Sequence, residues 1–283
     1  MEPELVARVE TALDEEVVET ETLEGGMIGD VYRVELAGRT IVAKIGDHSL
    51  VTEGRMLRYL AEESALPVPA VHHVDEELLC IEYIEGSSTI TPAVERDAAR
   101  QLAELHAVGG RAFGFPFDTL TGPVPQPNPW TERWIPFYRE QRVRSILDRA
   151  KAASTIPDAL ATRVEQVCAD CEALLTAPER PALLHGDVWR TNLLTDGERV
   201  TAFLDPACSY GHPEIELAYA DWTETFGDPF FETYQRERGI DLGDGFWDRR
   251  RFVYRLYPLL VHVHLFGGEY PDELAETLDH LGY

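Results

Sequence analysis

The residues most able to do chemistry lie in Leu183-Leu184-His185-Gly186-Asp187-Val188-Trp189-Arg190-Thr191-Asn192-Leu193-Leu194, followed eighteen positions after Asp187 by Asp205. Two carboxylates and an amide at this spacing suit phosphoryl transfer. One carboxylate accepts the proton of an attacking hydroxyl, while an amide oxygen and a second carboxylate supply the hard oxygen ligands that Mg²⁺ prefers. His-x-Asp-x-x-x-x-Asn followed by a strand-terminal Asp is the kinase catalytic-loop spacing, with Gly186 where protein kinases have Arg. The competing reading makes Asp187 and Asn192 ordinary turn residues, so the rest of the chain must decide.

To bring Asp187, Asn192 and Asp205 into one cleft, the chain needs a loop, a short strand, a turn and a second strand with an acid at its end. Apolar Leu193-Leu194, the turn Thr195-Asp196-Gly197-Glu198 and apolar Val200-Thr201-Ala202-Phe203-Leu204 provide that order.

A second group of residues lies upstream. Gly25-Gly26-Met27-Ile28-Gly29 leads into a strand at Val31–Leu36, a turn at Ala37-Gly38-Arg39 and a strand at Thr40–Ile45. Such a glycine-rich turn lets backbone N–H groups approach phosphates, although a Walker A Gly-Lys-Ser/Thr is absent. The chain has only two lysines, Lys44 and Lys151, and Lys44 ends the apolar strand. Val42-Ala43-Lys44 resembles, shifted by one, the Val-Ala-x-Lys strand that anchors phosphates in kinases. Nine residues on, Glu53 begins a helix carrying Met56, Leu57 and Leu60, and an ion pair to Glu53 would hold the ammonium in place. Leu78-Leu79-Cys80-Ile81 reads as a buried strand. Glu82-Tyr83-Ile84-Glu85-Gly86 then reads as a linker whose backbone could pair with adenine.

The remaining pattern is mostly helical. Leu5, Val6, Val9 and Leu13 define a helix over 4–16. Thr91-Pro92 predicts an N-cap and first helical position, with Val94, Ala98, Leu102 and Leu105 on one face and Gly109-Gly110 as the stop. His106 reads as a packing residue, and the Pro- and Gly-rich 113–129 as a long ordered loop. A helix with Trp130, Trp134, Phe137, Tyr138, Ile146 and Leu147 follows, then one over 157–175. Only about seven residues separate Asp205 from a helix starting near Pro213, too few for the long activation segment on which protein kinases lay a peptide. Glu216 on that helix could anchor the catalytic loop, with a solvated helix acid as the competing reading. A last helix spans 249–270; His262 or His264 could line an acceptor pocket, with core packing as the competing reading.

Composition narrows the function further. At 283 residues and 44% hydrophobic, the chain can bury a sizeable core in two lobes around a cleft. The net charge of −26 argues against general binding to nucleic acid or anionic membranes. The excess of carboxylates over lysines suggests a high-salt cytoplasm, where salt screens self-repulsion. The acidic N-terminus predicts no signal peptide, and no apolar run is long enough to span a membrane. Cys168 and Cys171 have CxxC spacing but lie on a helix face with Val164, Val167 and Leu174, so they read as core residues.

The sequence resembles the fructosamine (ketosamine) kinase family, within the aminoglycoside-phosphotransferase-like kinases. The resemblance runs through Gly25-Gly26-Met27-Ile28, Trp134 to Arg142, His185-Gly186-Asp187-Val188-Trp189, Asn192, Asp205-Pro206-Ala207, Tyr210-Gly211-His212 and His264-Leu265-Phe266-Gly267-Gly268. It implies an α+β, two-lobed protein-kinase-like fold. A small antiparallel-sheet N-lobe would cover 1–85, and a larger, mainly helical C-lobe 86–283. It also implies ATP-dependent phosphorylation of C3 of a ketosamine, whose unstable product falls off the amine, hence deglycation of glycated proteins or small molecules.

Residue by residue, the resemblance makes Asp187 the base, Asn192 and Asp205 the Mg²⁺ ligands, and Lys44, braced by Glu53, the phosphate anchor. Gly25, Gly26, Met27 and Ile28 would cover the phosphates, and Glu82, Tyr83 and Ile84 would contact adenine. Trp189 would stack on the sugar, and His264 is the further candidate for the acceptor pocket. Met27 stands where some members carry a cysteine proposed for redox control, and Arg190-Thr191 replaces a frequent Ser-Gly. The alternatives are a phosphotransferase of the same fold acting on aminoglycosides, choline or homoserine, and a non-catalytic nucleotide-binding protein.

Overall fold

The computed structural model describes residues 3–23, 30–46 and 49–283. The expected phosphate-covering residues Gly25, Gly26, Met27 and Ile28 lie outside that set.

Helix α1 (Pro3–Leu13) is followed by strands β1 (Val17–Leu23), β2 (Asp30–Leu36) and β3 (Thr40–Ile45), helix α2 (Ser49–Glu63), and strands β4 (Val71–Val74) and β5 (Leu78–Glu82). The strands form an antiparallel sheet in the order β1-β2-β3-β5-β4. Side chains alternate across a strand, and β3 uses both faces. Ile41 and Ala43 join Leu5 and Val9 of α1 in one apolar cluster. Val42 faces the other way, packed on Leu50, Leu57, Leu79 and Ile81. Lys44, two residues beyond Val42, therefore points toward α2 and the cleft. Strand β1 carries little sequence signal because only Val17 of its seven residues is buried.

The second part of the chain is α3 (Pro92–Leu105), a hairpin of β6 (Thr119–Thr121) and β7 (Val124–Gln126), α4 (Trp134–Phe137), a π-helical stretch Tyr138–Arg144, α5 (Ser145–Ala152) and α6 (Asp158–Leu174). Next come β8 (Ala182–Leu184), a 3-10 turn Arg190–Asn192, β9 (Leu193–Thr195), β10 (Val200–Phe203), β11 (Ser209–Gly211) and α7 (Pro213–Trp222). The chain ends with α8 (Asp228–Arg238), α9 (Gly243–Gly245), a π-helical stretch Phe246–Arg250, α10 (Arg251–Leu265) and α11 (Tyr270–Leu281). One large core unites these helices, with Trp134, Tyr138, Phe203, Phe230, Tyr234, Phe246 and Tyr254 all buried.

Several sequence expectations shift. Thr91 does cap α3, its hydroxyl accepting from Val94 N at 3.3 Å. That helix stops at Leu105 rather than at the glycines, because Gly109 and Gly110 leave to meet the strand that leads into the catalytic loop: Gly109 bridges Ala182, and Gly110 N bonds Pro181 O at 3.1 Å. The expected loop over 113–129 contains a hairpin. The aromatic helix begins at Trp134, not Trp130, and winds partly as a π-helix. Among the described residues no helix is long and apolar enough to cross a membrane.

Two joints hold the halves in register. Ser87, just past the linker, exchanges both backbone hydrogen bonds with Thr195 of β9, at 2.9 and 2.8 Å. Phe203 N of β10 donates to Pro67 O at 2.8 Å.

Candidate active site

Strand β8 delivers Leu183 and Leu184, both buried, and the chain then turns sharply at Gly186, whose φ is +90°. A Cβ there would meet Ala207 O at 2.1 Å, so only glycine fits both the backbone and the close approach of the segment after Asp205. The turn is tied from behind. Glu216 on α7 accepts from Gly186 N and, at 3.4 Å, from His185 N, while His106 Nε2 bonds its carboxylate at 2.8 Å. The opposite nitrogen of His106 bonds Tyr234 Oη at 2.6 Å. Burial disfavours the Glu216 charge, but His106, His185 and the Gly186 N–H outweigh it and hold the carboxyl below its usual range. His106 is thus a buried support of the catalytic loop, and Glu216 its anchor.

Asp187 is half-buried at the cleft. Burial pushes its pKa up to about 7. Hydrogen bonds from Tyr219 and Asn192 oppose that rise, and the nearby negative charges of Asp205 and Glu216 add to it. Asn192 Nδ2 donates to Asp187 Oδ2 at 3.0 Å and to Asp187 O at 3.1 Å. The amide nitrogen is therefore committed, and the amide oxygen remains as acceptor. Asn192 O in turn accepts from Leu204 N at 2.9 Å, which sets the residue next to Asp205 in register with the loop. Asp205 has a φ of +51°, in the left-handed region that Asp tolerates better than most residues.

From the other side, Lys44 Nζ bonds Glu53 Oε1 at 2.7 Å and also contacts Asp205 Oδ1. Burial opposes the ammonium charge, yet the carboxylates of Glu53 and Asp205 overcome this and raise its pKa. Burial and the neighbouring Asp205 push Glu53 up, against the pull of Lys44.

These groups line one cavity of about 420 Å³ between the lobes. Lys44, Glu53, Asp187, Trp189, Asn192 and Asp205 all reach it, and so do Glu82, Tyr83 and Ile84 of the linker. Of the sequence candidates that are described, His262 and His264 are not brought in: both sit on α10 and neither lines the cavity. Spacing alone could not foretell which residues of that helix reach the cavity. Sequence reasoning missed Tyr219, which hydrogen-bonds Asp187. Its position three residues after Glu216, on the same side of a helix, was the available signal. It also missed the hairpin: Leu120 and Gly122 form part of the cavity wall. That hairpin is pinned by Gln126, whose Nε2 donates to Ala207 O at 3.1 Å.

The family model for fructosamine kinase matches residues 2–282 of this chain. A ketoamine kinase candidate from Vibrio cholerae is 30% identical over 275 residues, 94% of this chain and 93% of the relative. A chloroplastic protein-ribulosamine 3-kinase from Arabidopsis thaliana is 31% identical over 246 residues, 83% of this chain and 72% of the relative. The crystal structure of a fructosamine-3-kinase candidate from Thermobifida fusca superposes with a TM-score of 0.86 at 31% identity, covering 98% of both chains. An aminoglycoside phosphotransferase solved with ADP and hygromycin B shares the fold, with a TM-score of 0.71 at 19% identity over 98% of this chain and 96% of the other. With a family match over nearly its whole length and a cleft of this architecture, the chain belongs to the fructosamine kinase family, ATP-dependent phosphotransferases of two-lobed, protein-kinase-like fold.

Proposed function

We propose that the chain transfers the γ-phosphoryl group of ATP to the C3 hydroxyl of a ketosamine, with Asp187 as general base. The single observation that carries this reading is the convergence of Lys44, Asp187, Asn192 and Asp205 on one cavity. A carboxyl poised near neutrality by burial is suited to accept the hydroxyl proton as the oxygen attacks phosphorus. Lys44, held charged by Glu53, neutralises α- and β-phosphate oxygens. When nucleotide enters, its phosphates replace Asp205 as the partner of Lys44.

Glu82 N–H is already given to Ala70 O at 2.8 Å. Purine contacts then fall to the backbone of Tyr83 and Ile84 and to the carbonyl of Glu82, at the boundary between a nucleotide lobe, 1–85, and an acceptor lobe, 86–283. Trp189 covers the sugar.

The donor set fits Mg²⁺. The free amide oxygen of Asn192 and the carboxylate of Asp205 are hard oxygen ligands, and such a cation completes its shell with phosphates and water rather than a protein cage. Bound there, the cation would neutralise phosphate charge.

Phosphorylation at C3 makes the ketosamine unstable, so the amine is regenerated, and the role is deglycation. Four free, buried cysteines suit a reducing, cytoplasmic setting, and the −26 charge suits high salt. The test is acceptor-dependent ADP formation with ³¹P NMR detection of a sugar phosphate, using ribulosamine, fructosamine, kanamycin and choline. Turnover of a ketosamine is the expected result. Phosphorylation of kanamycin or choline alone overturns the acceptor assignment.

A further inference from the structure

Beyond the cavity, a continuous run of rings leaves the catalytic loop. Tyr219, whose hydroxyl bonds Asp187, stands 5.9 Å from Trp222 by ring centroids. Trp222 meets His262 at 5.1 Å, and His262 meets Tyr270 at 4.8 Å and Phe266 at 5.5 Å. None of the five is fully buried, and Phe266 is 50% exposed, one of only three exposed large hydrophobic residues among those described. The run starts at the hydroxyl that touches Asp187, crosses half-buried rings that pack on the core and ends at the exposed Phe266, and exposed apolar surface of this kind marks interaction sites.

The charge around this shelf is negative. Glu273 accepts the Trp222 indole N–H, and the carboxylates of Glu269 and Glu273 add to the burial that raises the Tyr270 pKa. Arg255, whose charge is felt by Glu273, is paired with Asp221, which Arg251 also holds through two 3.0 Å contacts. Ring faces bordered by carboxylates bind organic cations.

We propose that this shelf, Tyr219–Trp222–Tyr270–Phe266 with Glu269 and Glu273, is the subsite for the amine arm of the acceptor, a protonated, N-alkylated 1-amino-1-deoxyketose. The inference rests on the acceptor class proposed above. The covalent structure of that acceptor makes the placement natural. Its cationic nitrogen lies three bonds from C3, so a C3 hydroxyl presented to Asp187 puts the ammonium near Tyr219. The alkyl substituent then continues outward over Trp222 and Tyr270. The shelf thus selects for positive charge and an extended arm, while the cavity selects the sugar.

The experiment compares KM and kcat for fructosyl-lysine and for an ether analogue in which oxygen replaces the amine. Glu273→Gln keeps an acceptor for the Trp222 indole but removes the charge, and Tyr270→Leu keeps bulk but removes the ring face. Each should raise KM for fructosyl-lysine roughly three- to ten-fold, with kcat changed less than about two-fold and little effect on KM for the ether. Equal changes for both acceptors, or no change for either, in variants that melt like the wild type, overturn the subsite. Failure of the wild type to phosphorylate any ketosamine instead overturns the acceptor assignment on which the subsite depends.

Discussion

Gly186→Ala is the sharpest perturbation of the catalytic loop. A methyl group at this position would lie 2.1 Å from Ala207 O and 2.7 Å from Ala207 C, both backbone atoms that no side-chain rotation can remove. Relief requires the 205–208 turn to retreat by about an ångström. That motion threatens Ala207 N–H to His185 O at 2.8 Å and Gln126 Nε2 to Ala207 O at 3.1 Å. At about 1 kcal/mol for each hydrogen bond lost, plus about 1–2 kcal/mol for placing alanine at positive φ, the loss is about 3–4 kcal/mol of folding stability.

The same retreat separates Asp205 from Asp187 and Asn192, which line the same cavity beside it. A 1 Å misplacement of reacting groups costs about 10² in rate, so kcat should fall by about that factor. Urea unfolding measures the first quantity and initial-rate ADP release the second. A variant that unfolds within about 1 kcal/mol of the wild type and retains kcat within a few-fold would refute the claim that glycine is required by the approach of Ala207.

Four further outcomes are expected. Asp187→Asn should lower kcat by roughly 10²–10⁴ while leaving ATP affinity, read by calorimetry, within a few-fold; an active variant would remove Asp187 from the base role. Glu216→Gln should destabilise the protein by about 1.5–3 kcal/mol in urea titrations, because the buried carboxylate takes two backbone N–H groups and His106; an unchanged midpoint would show that the anchor is dispensable. His212 is held neutral by burial and by the nearby charges of Arg250 and His106, its pKa falling to about 3 from 6.5. The unfolded chain takes up that proton first, so the stability from His212 is complete above pH 6.5 and is lost as pH falls toward 3, by up to about 1.4 kcal/mol per pH unit. His212→Asn, which can still cap Glu214 N, should flatten the stability profile between pH 6 and 5, and parallel profiles would refute this. Finally, unfolding free energy should rise from low to molar KCl as the −26 charge is screened, and equal stability at both would end the high-salt reading.

Local chemistry alone determined much of this protein. The apolar alternation of Thr40–Ile45 forces Lys44 onto the face opposite Ala43, the Thr91-Pro92 pair starts α3, and the turn at 195–198 folds β9 onto β10. Each depends on residues a few positions apart, so each is legible without coordinates. Glu53 was legible through its nine-residue spacing from a rare strand lysine, whereas Glu216, thirty residues from Gly186, could equally have been a solvated helix acid until packing brought it behind the turn.

Tertiary structure decided the rest. Strand β1 exists because β2 offers it an edge, not because its own seven residues demand it. His106 meets Glu216 and Tyr234 across 110 and 128 residues, and Gln126 meets Ala207 across 81. Tyr219 finds Asp187, while His264 does not line the cavity, because the packing of α7 and α10 fixes which face each helix shows. Sequence spacing fixes the angle between side chains on one helix; only the burial of neighbouring helices fixes the rotation of that helix relative to a distant cleft.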